Sequence, residues 1–266
     1  MRTVLTKTGI RIIILTSIIS VCLISCEKEK DTYGRITLRF EHKVDGNDIK
    51  WNEMCYVNEA GNPYELTDVM YFISRVKLHR SDGKIIELNQ VNPIHYIDPK
   101  EINTLQWENE QDIPTGNYDS ITFTFGLESI DNISNRFVNP PESNMAWPLV
   151  LGGGYHYMML NGFYLDSNGV RCTNNFHLGR GQIYNNDHEV IGIIENSFRV
   201  SPQGESFTIS ENLLTTAVIT MHIESWFKTP VVYDFNVYGG AIMQKQEAME
   251  AACKNGVDAF SLDFVY

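Results

Sequence analysis

The chain has 266 residues, of which 43% are hydrophobic and 20% charged, and it contains 13 Phe, 13 Tyr and 4 Trp. This composition supports a packed core and excludes a wholly disordered or collagen-like chain. The formal net charge of −12 argues against binding to duplex nucleic acid, because phosphate recognition needs a basic surface. We therefore expect no nucleic-acid partner.

The first 25 residues have the features of an export signal. Three basic residues lie near the N-terminus, with no acidic residue among them. Residues 12–24 then form an apolar stretch, which is shorter than the ~20 residues needed to span a bilayer. We interpret residues 1–25 as a lipoprotein signal peptide.

Cys26 stands directly after this stretch. The residues before it resemble a bacterial lipobox, and five charged residues follow it. A lipid on Cys26 would hold a soluble domain at a membrane, and residues 26–35 would serve as its tether. The alternative is an ordinary signal peptide with an incidental cysteine. Because Glu27 is not the aspartate often associated with inner-membrane retention, we expect an outer-membrane lipoprotein, on the periplasmic or the cell-surface side.

The mature chain has the pattern of a mainly β protein. Alternation in the first predicted strand puts Ile36, Leu38, Phe40 and His42 on one face. Further β-prone segments are separated by turn signals such as Asp45-Gly46. These predicted strands are residues 71–79, 85–88, 93–98, 118–126, 155–164, 176–178, 206–209 and 215–223.

One helix is predicted near the C-terminus. It covers residues 244–254, and Asn255-Gly256 has the residue types of a C-cap that closes it. Many short strands with turns between them favour an antiparallel β-sandwich, to which this short helix is added. We assign residues 36–225 to the sandwich and residues 226–266 to a C-terminal extension that packs on it.

Three histidines occupy positions from which they could converge at one end of a sandwich. His42 ends its strand on the apolar face, and His95 and His177 each stand between apolar residues. Neutral imidazoles suit copper or zinc. From the residues alone, a hydrogen-bonded structural histidine remains the favoured interpretation of each. The other four are interpreted as structural or surface residues: His79, His156, His188 and His222.

A series of short motifs resembles, in order, those of the MbnP-like copper-binding proteins. Each motif is weak alone, but together they cover about residues 36–182. The tail resembles an extension seen in lipoprotein members of the group. The motifs are the opening strand at 38–46, Tyr-x-Asn-x-x-Gly at 56–61, a Tyr-Tyr-Leu-Ser-like strand at 70–74, a Tyr/His-Leu-x-Asp-like segment at 95–98, Pro-x-Gly-x-Tyr at 114–118, Phe-x-x-Gly-x-Glu at 123–128, Met-x-Trp at 145–147 with Gly-Tyr at 154–155, and His-x-Gly at 177–179.

The resemblance implies an extracytoplasmic β-sandwich that binds one copper ion through histidines, and the matching positions are His42, His95 and His177. Some relatives carry a tryptophan two residues before the first histidine. A di-haem enzyme of the peroxidase type oxidises it to kynurenine, which joins the copper site. Here that position is Phe40. We therefore expect a site without kynurenine, in which Phe40 and Trp147 flank the ligands.

These features favour a copper-binding protein, not an enzyme, that serves copper acquisition, storage or delivery. Its implied partners are the membrane, through the lipid anchor, and a di-haem peroxidase-type protein or a copper transporter. The alternative is a surface glycan-binding lipoprotein, because Trp51, Trp107, Trp147 and Trp226 could stack on sugars. A third interpretation is a sandwich that lacks a metal site and serves as a structural partner.

Three cysteines remain in the mature chain besides Cys26. Cys55, Cys172 and Cys253 are far apart in sequence, so we predict that none is a copper ligand. An odd number allows one disulfide and one thiol in an oxidising compartment. The residues alone do not select the pair, and we favour Cys55 with Cys172.

Replacement of the lipidated residue tests the anchor. We expect Cys26→Ala to release the protein from membranes, because the lipid on Cys26 inserts into the membrane and supplies the attachment. Membrane and soluble fractions compared by immunoblot give the readout, with Cys55→Ala as the matched control. A Cys26→Ala protein that stays as membrane-bound as the parent contradicts the prediction.

Overall fold

The fold is known here from a computed structural model that describes residues 31–265. The predicted signal peptide, Cys26 and the first half of the predicted tether lie outside the described residues. Strand β1 begins at Tyr33, so residues 33–35 belong to the folded domain and not to a tether. Within the described part of the chain, no helix combines the length and the hydrophobicity needed to cross a membrane.

Seventeen strands are found among the described residues, and most of them are short. They are β1 (Tyr33–Val44), β2 (Asn47–Asp48), β3 (Tyr56–Val57), β4 (Pro63–Arg80), β5 (Ile85–Glu87), β6 (Ile94–Ile97), β7 (Gln106–Glu108), β8 (Ile113–Pro114), β9 (Gly116–Phe125), β10 (Met158–Leu165), β11 (Arg171–Leu178), β12 (Gly181–Tyr184), β13 (Val190–Ile194), β14 (Phe198–Val200), β15 (Phe207–Ile209), β16 (Leu214–His222) and β17 (Phe260–Val265).

Helices are few. The described residues form two α-helices, α1 (Phe235–Tyr238) and α2 (Gln246–Gly256). Four 3₁₀ turns are also present: Ile102–Thr104, Glu142–Met145, Leu149–Leu151 and Ile223–Phe227.

Two large sheets carry the fold. The first sheet has the order β17-β16-β1-β2, with β7 and β8 also on β1. The second has the order β11-β10-β4-β9-β14, with β3, β5 and β6 on β4 and β15 on β9, and a small third sheet pairs β12 with β13. The predicted mainly β sandwich class with a short C-terminal helix is confirmed. One difference is that β1 pairs with β16 in parallel, so the first sheet is mixed rather than purely antiparallel.

The register of three strands in the second sheet separates two rows of side chains. Tyr71 of β4, Met158 of β10 and Leu178 of β11 are paired in register and fully buried. We call these three residues the inner row. Because successive side chains of a strand point to opposite faces, the neighbouring trio of Met70, Met159 and His177 lies on the other face of the sheet. We call these three the outer row.

Aromatic side chains fill the space between the two large sheets. The Phe125 ring lies 5.7 Å from the inner-row Tyr71 ring and 5.0 Å from Trp226. Phe260, on the edge strand β17 of the first sheet, contacts Phe123 and Phe125 of the second sheet at 5.3 and 5.8 Å. The inner row therefore faces the core, and the outer row faces away from it.

The C-terminal extension is part of this core. Trp226 is fully buried, and β17 supplies a strand to the first sheet by pairing with β16. The predicted helix exists but ends later than expected. Asn255 and Gly256 lie inside α2 and do not cap it. Gly256 is needed there because a Cβ would lie 2.5 Å from Trp226, and Asn255 uses its amide to hold the preceding loop.

The predicted Cys55–Cys172 disulfide is wrong, since the cysteines of the described residues are free. The register explains why. Tyr56, beside Cys55, pairs with β4, whereas Cys172 lies on β11, and β4 and β10 stand between them. Three strand spacings of about 4.8 Å place them roughly 14 Å apart, well beyond the ~7 Å limit between bridged Cα atoms.

Asn255 is the side chain whose removal tests the attachment of the extension. Its amide donates to the carbonyls of Trp226 and Val231 and accepts from the Val231 N–H. Asn255→Ala would leave three backbone groups unpaired, so we expect the free energy of unfolding to fall by about 3 kcal/mol. Urea unfolding measures it, with the exposed Lys254→Ala as control. A loss no larger than that of the control contradicts the prediction.

Candidate metal centre

His42 lies near the C-terminal end of β1, two residues after Phe40 and on the same face of the strand. Its imidazole is 9% exposed, and its Nε2 is 3.1 Å from the hydroxyl of Tyr71. Either atom of this hydrogen bond can donate. If Nε2 carries the proton and donates to the tyrosine oxygen, Nδ1 keeps a free lone pair, which is the form that binds a metal.

His95 approaches Phe40 from the second sheet. It stands on β6 opposite Ile73, and its ring centroid is 5.4 Å from that of Phe40. Its Nε2 donates to the carbonyl of Thr104 at 2.8 Å. A carbonyl can only accept, so Nε2 carries the proton and Nδ1 holds a lone pair. This is how metal-binding histidines are commonly oriented in proteins.

We call His42 and His95 the inner pair. Burial lowers the pKa of His42 to about 3 and that of His95 to about 4. Both imidazoles are therefore neutral at neutral pH, the form required of a metal ligand. Two aromatic side chains enclose the site. Phe40 contacts His95 and lies two residues before His42 on the same face of β1, and Trp107 stacks on His95 with ring centroids 4.9 Å apart and planes inclined by 5°.

A groove opens next to His42. Its volume is about 370 Å³. Polar and charged side chains on its wall include Glu41, Lys43 and Asp48, whereas Phe40 forms its apolar floor near the histidine. Solvent or a small ligand can thus reach one side of His42 while most of its imidazole stays buried.

The structure does not bring His177 to the inner pair. His177 belongs to the outer row, whereas His42 contacts Tyr71 of the inner row, so the β4–β10–β11 layer of the second sheet lies between them. The structure therefore does not bring the three predicted ligands together at one place. Among the described residues, no group of three or more His, Cys, Asp or Glu side chains is close enough together to hold a metal ion.

His177 instead contacts His156, and we call these two the outer pair. Their ring centroids are 5.1 Å apart, with the planes nearly perpendicular. His156 Nδ1 donates to the carbonyl of Met145 at 2.9 Å, and His177 Nε2 donates to Oδ1 of Asn161 at 2.7 Å. The remaining nitrogens, His156 Nε2 and His177 Nδ1, are buried and have no hydrogen-bond partner among the described residues.

Trp147 lies beside the outer pair and not beside Phe40. Its ring is 4.7 Å from that of His156, and its indole N–H donates to the carbonyl of Leu151. Trp147 and Phe40 were expected to flank one site, and the structure places them at two. Trp147 and Trp226 are 2% and 0% exposed, so neither presents a ring on which a sugar could stack.

Three residues of these sites were missed from the sequence. His156 was interpreted as a structural or surface residue, although it directly follows the Gly-Tyr motif, which a short loop separates from the Met-x-Trp motif. Trp107 gave no signal beyond being an aromatic residue in a short strand. Tyr71 was visible as the second residue of a family-like motif, but its hydroxyl contact with His42 joins positions 29 residues apart.

Two comparisons with known proteins agree with this architecture. The family model described as MbnP matches residues 33–244. A solved structure, MbnP from Methylosinus trichosporium, matches with a TM-score of 0.53 and 16% sequence identity, over 87% of this chain and 99% of that one. At that identity the likeness shows the fold alone. No curated protein matches the chain significantly.

The protein is thus a two-sheet β-sandwich. The inner pair lies between its two large sheets, and the outer pair lies on the other face of the second sheet. Because the family model covers most of the chain, from the first strand into the C-terminal extension, the chain belongs to the MbnP family. The match passes residue 225, so the family resemblance continues beyond the predicted boundary of the sandwich.

The lowered pKa values make stability depend on pH in a defined direction. Unfolded histidines titrate near ~6.5, so between pH 6.5 and about 4 the unfolded chain binds protons that the folded inner pair does not. The free energy of unfolding should therefore fall as the pH drops through this window. From pH 7 to pH 5, His42 alone accounts for about 2 kcal/mol of the fall.

Metal-free protein with His42→Gln tests this, because the glutamine amide can keep the hydrogen bond to Tyr71 but does not titrate. Urea unfolding at pH 7 and pH 5 should show a smaller decrease in the variant than in the parent. An equal decrease in both proteins contradicts the assignment of the lowered pKa to His42.

Proposed function

We propose that the inner pair binds one copper ion and that the protein acquires, stores or delivers copper outside the cytoplasm. The observation that carries this proposal is the pair of largely desolvated imidazoles close to Phe40, which are neutral at neutral pH because burial lowers the pKa of each. The resemblance to copper-binding MbnP-like proteins supports it, since His42 and His95 are matching positions and the chain belongs to that family.

The chemistry of the donors fits copper. Imidazole nitrogen suits copper, and each ring of the inner pair has one nitrogen engaged in a hydrogen bond and the other free of such a bond among the described residues. Because both rings are already neutral, copper need not displace a proton from either ligand near pH 7. Affinity should thus stay nearly constant between pH 7 and pH 6.

Two histidines leave part of the coordination of a copper ion open. Phe40 has no lone pair to donate, and its phenyl ring cannot be oxidised to kynurenine. The groove beside His42 gives water or a donor from a partner protein access to the open position. An exchangeable position suits transfer of copper better than permanent storage, which is why we favour delivery or acquisition.

Trp107 is the tryptophan that contacts a ligand of the proposed site. Its ring covers His95 and limits the approach of solvent from that side. It also gives an optical signal, because copper bound to His95 would quench its fluorescence.

Glutamine variants of the inner pair test the proposal. His42→Gln and His95→Gln can keep the hydrogen bonds to Tyr71 and to the Thr104 carbonyl but lack the free imidazole nitrogen. We expect each to weaken copper binding at this site at least tenfold, measured by competition with a coloured chelator. His79→Gln and the exposed His188→Gln serve as controls and should bind like the parent.

Quenching of Trp107 on copper addition should disappear in His95→Gln. If the double variant His42→Gln, His95→Gln binds copper with the stoichiometry and affinity of the parent, the proposal is wrong.

A further inference from the structure

We propose a second metal site, for Cu(I), on the outer face of the second sheet, with His156 Nε2, His177 Nδ1 and the Met159 thioether as ligands. Its residues are different from those of the inner pair, and the two sites are separated by the sheet itself. The proposal stands whether or not the inner pair binds copper.

The two free nitrogens are the first observation. Each ring of the outer pair already uses one nitrogen as a donor, to the Met145 carbonyl and to the Asn161 side chain. The other nitrogen of each ring must then be an unprotonated acceptor. Both are buried without a partner among the described residues, which is unfavourable unless something binds them. A single cation held by both rings satisfies both lone pairs.

The outer row supplies the soft ligands. Met159 lies directly across the β10–β11 pair from His177, and Met70 is the next residue in the same row. Facing side chains of neighbouring strands have Cβ atoms about 5 Å apart, within reach of a methionine sulfur. Both methionines are half-buried at the edge of the core, so their sulfurs lie in a largely apolar setting.

The donor set identifies the metal. Thioether and imidazole ligands favour Cu(I), whereas zinc sites usually add thiolate or carboxylate. No Cys, Asp or Glu completes a cluster of three such donors with the outer pair within the described residues. Met70, across the β4–β10 pair from Met159, is the next thioether in the row.

The surroundings limit the access of water to the two free nitrogens. Trp147 packs against His156, and it also occupies the space over Gly179, where a Cβ would lie 2.5 Å from the indole ring. Burial, with a smaller contribution from the neighbouring His156, lowers the pKa of His177 to about 4. The ligands are thus neutral and shielded, as a stable Cu(I) site requires.

The test uses full-length protein that carries His42→Gln and His95→Gln, so that only the outer pair can bind. Cu(I) is added without oxygen in the presence of a coloured Cu(I) chelator. We expect one Cu(I) per chain. Adding His156→Asn and His177→Gln should abolish this binding, because asparagine can keep the bond to Met145 and glutamine the bond to Asn161 while the free nitrogens are lost. Circular dichroism checks that these variants remain folded.

A methionine substitution tests the thioether without risk to the fold. Met159→Leu conserves volume and should weaken Cu(I) binding at least tenfold, whereas Met243→Leu in the C-terminal extension should leave it unchanged. Quenching of Trp147 fluorescence should accompany binding and disappear in Trp147→Phe.

The outcomes separate the two sites. The inner-pair variant is the protein with His42→Gln and His95→Gln. If it still binds Cu(I) after His156→Asn and His177→Gln are added, the second site is wrong. The second site is also wrong if the inner-pair variant itself binds no Cu(I). In the latter case the proposed function stands if the parent binds one ion. Unchanged affinity in Met159→Leu overturns the thioether ligand.

Discussion

The pairing of β4, β10 and β11 is the constraint on which the arrangement of histidines depends. One register puts Tyr71, Met158 and Leu178 in the core and Met70, Met159 and His177 on the opposite face. A shift by one residue would exchange the two rows and turn His177 towards the core. Because His42 bonds to Tyr71, this register also decides that the inner pair and the outer pair are separate.

Burial and fixed hydrogen bonds give these imidazoles their chemistry. Desolvation is the largest cause of the lowered pKa in all four rings of the two pairs. Three of them donate to an acceptor that cannot itself donate, which fixes the proton on one nitrogen and leaves a lone pair on the other. A neutral histidine with a fixed tautomer is prepared for a metal before the metal arrives.

The local pattern of the sequence predicted the strands well and the long-range pairs poorly. Alternation over β1 placed Phe40 and His42 on one buried face, as the structure shows. The three histidines that were predicted to converge are not brought together in the structure, because strand order and register are tertiary properties that alternation does not contain. The same lack of register produced the wrong Cys55–Cys172 pair. Asn255 has the residue type of a helix cap, but its amide is used on the Trp226 loop instead, a contact across 29 residues.

The position of copper itself tests the central claim most directly. Crystals of the protein loaded with copper, measured on both sides of the copper absorption edge, locate the ion by its anomalous scattering. We expect a peak next to the free nitrogens of His42 and His95, beside Phe40. Stoichiometrically bound copper without a peak at the inner pair would contradict it.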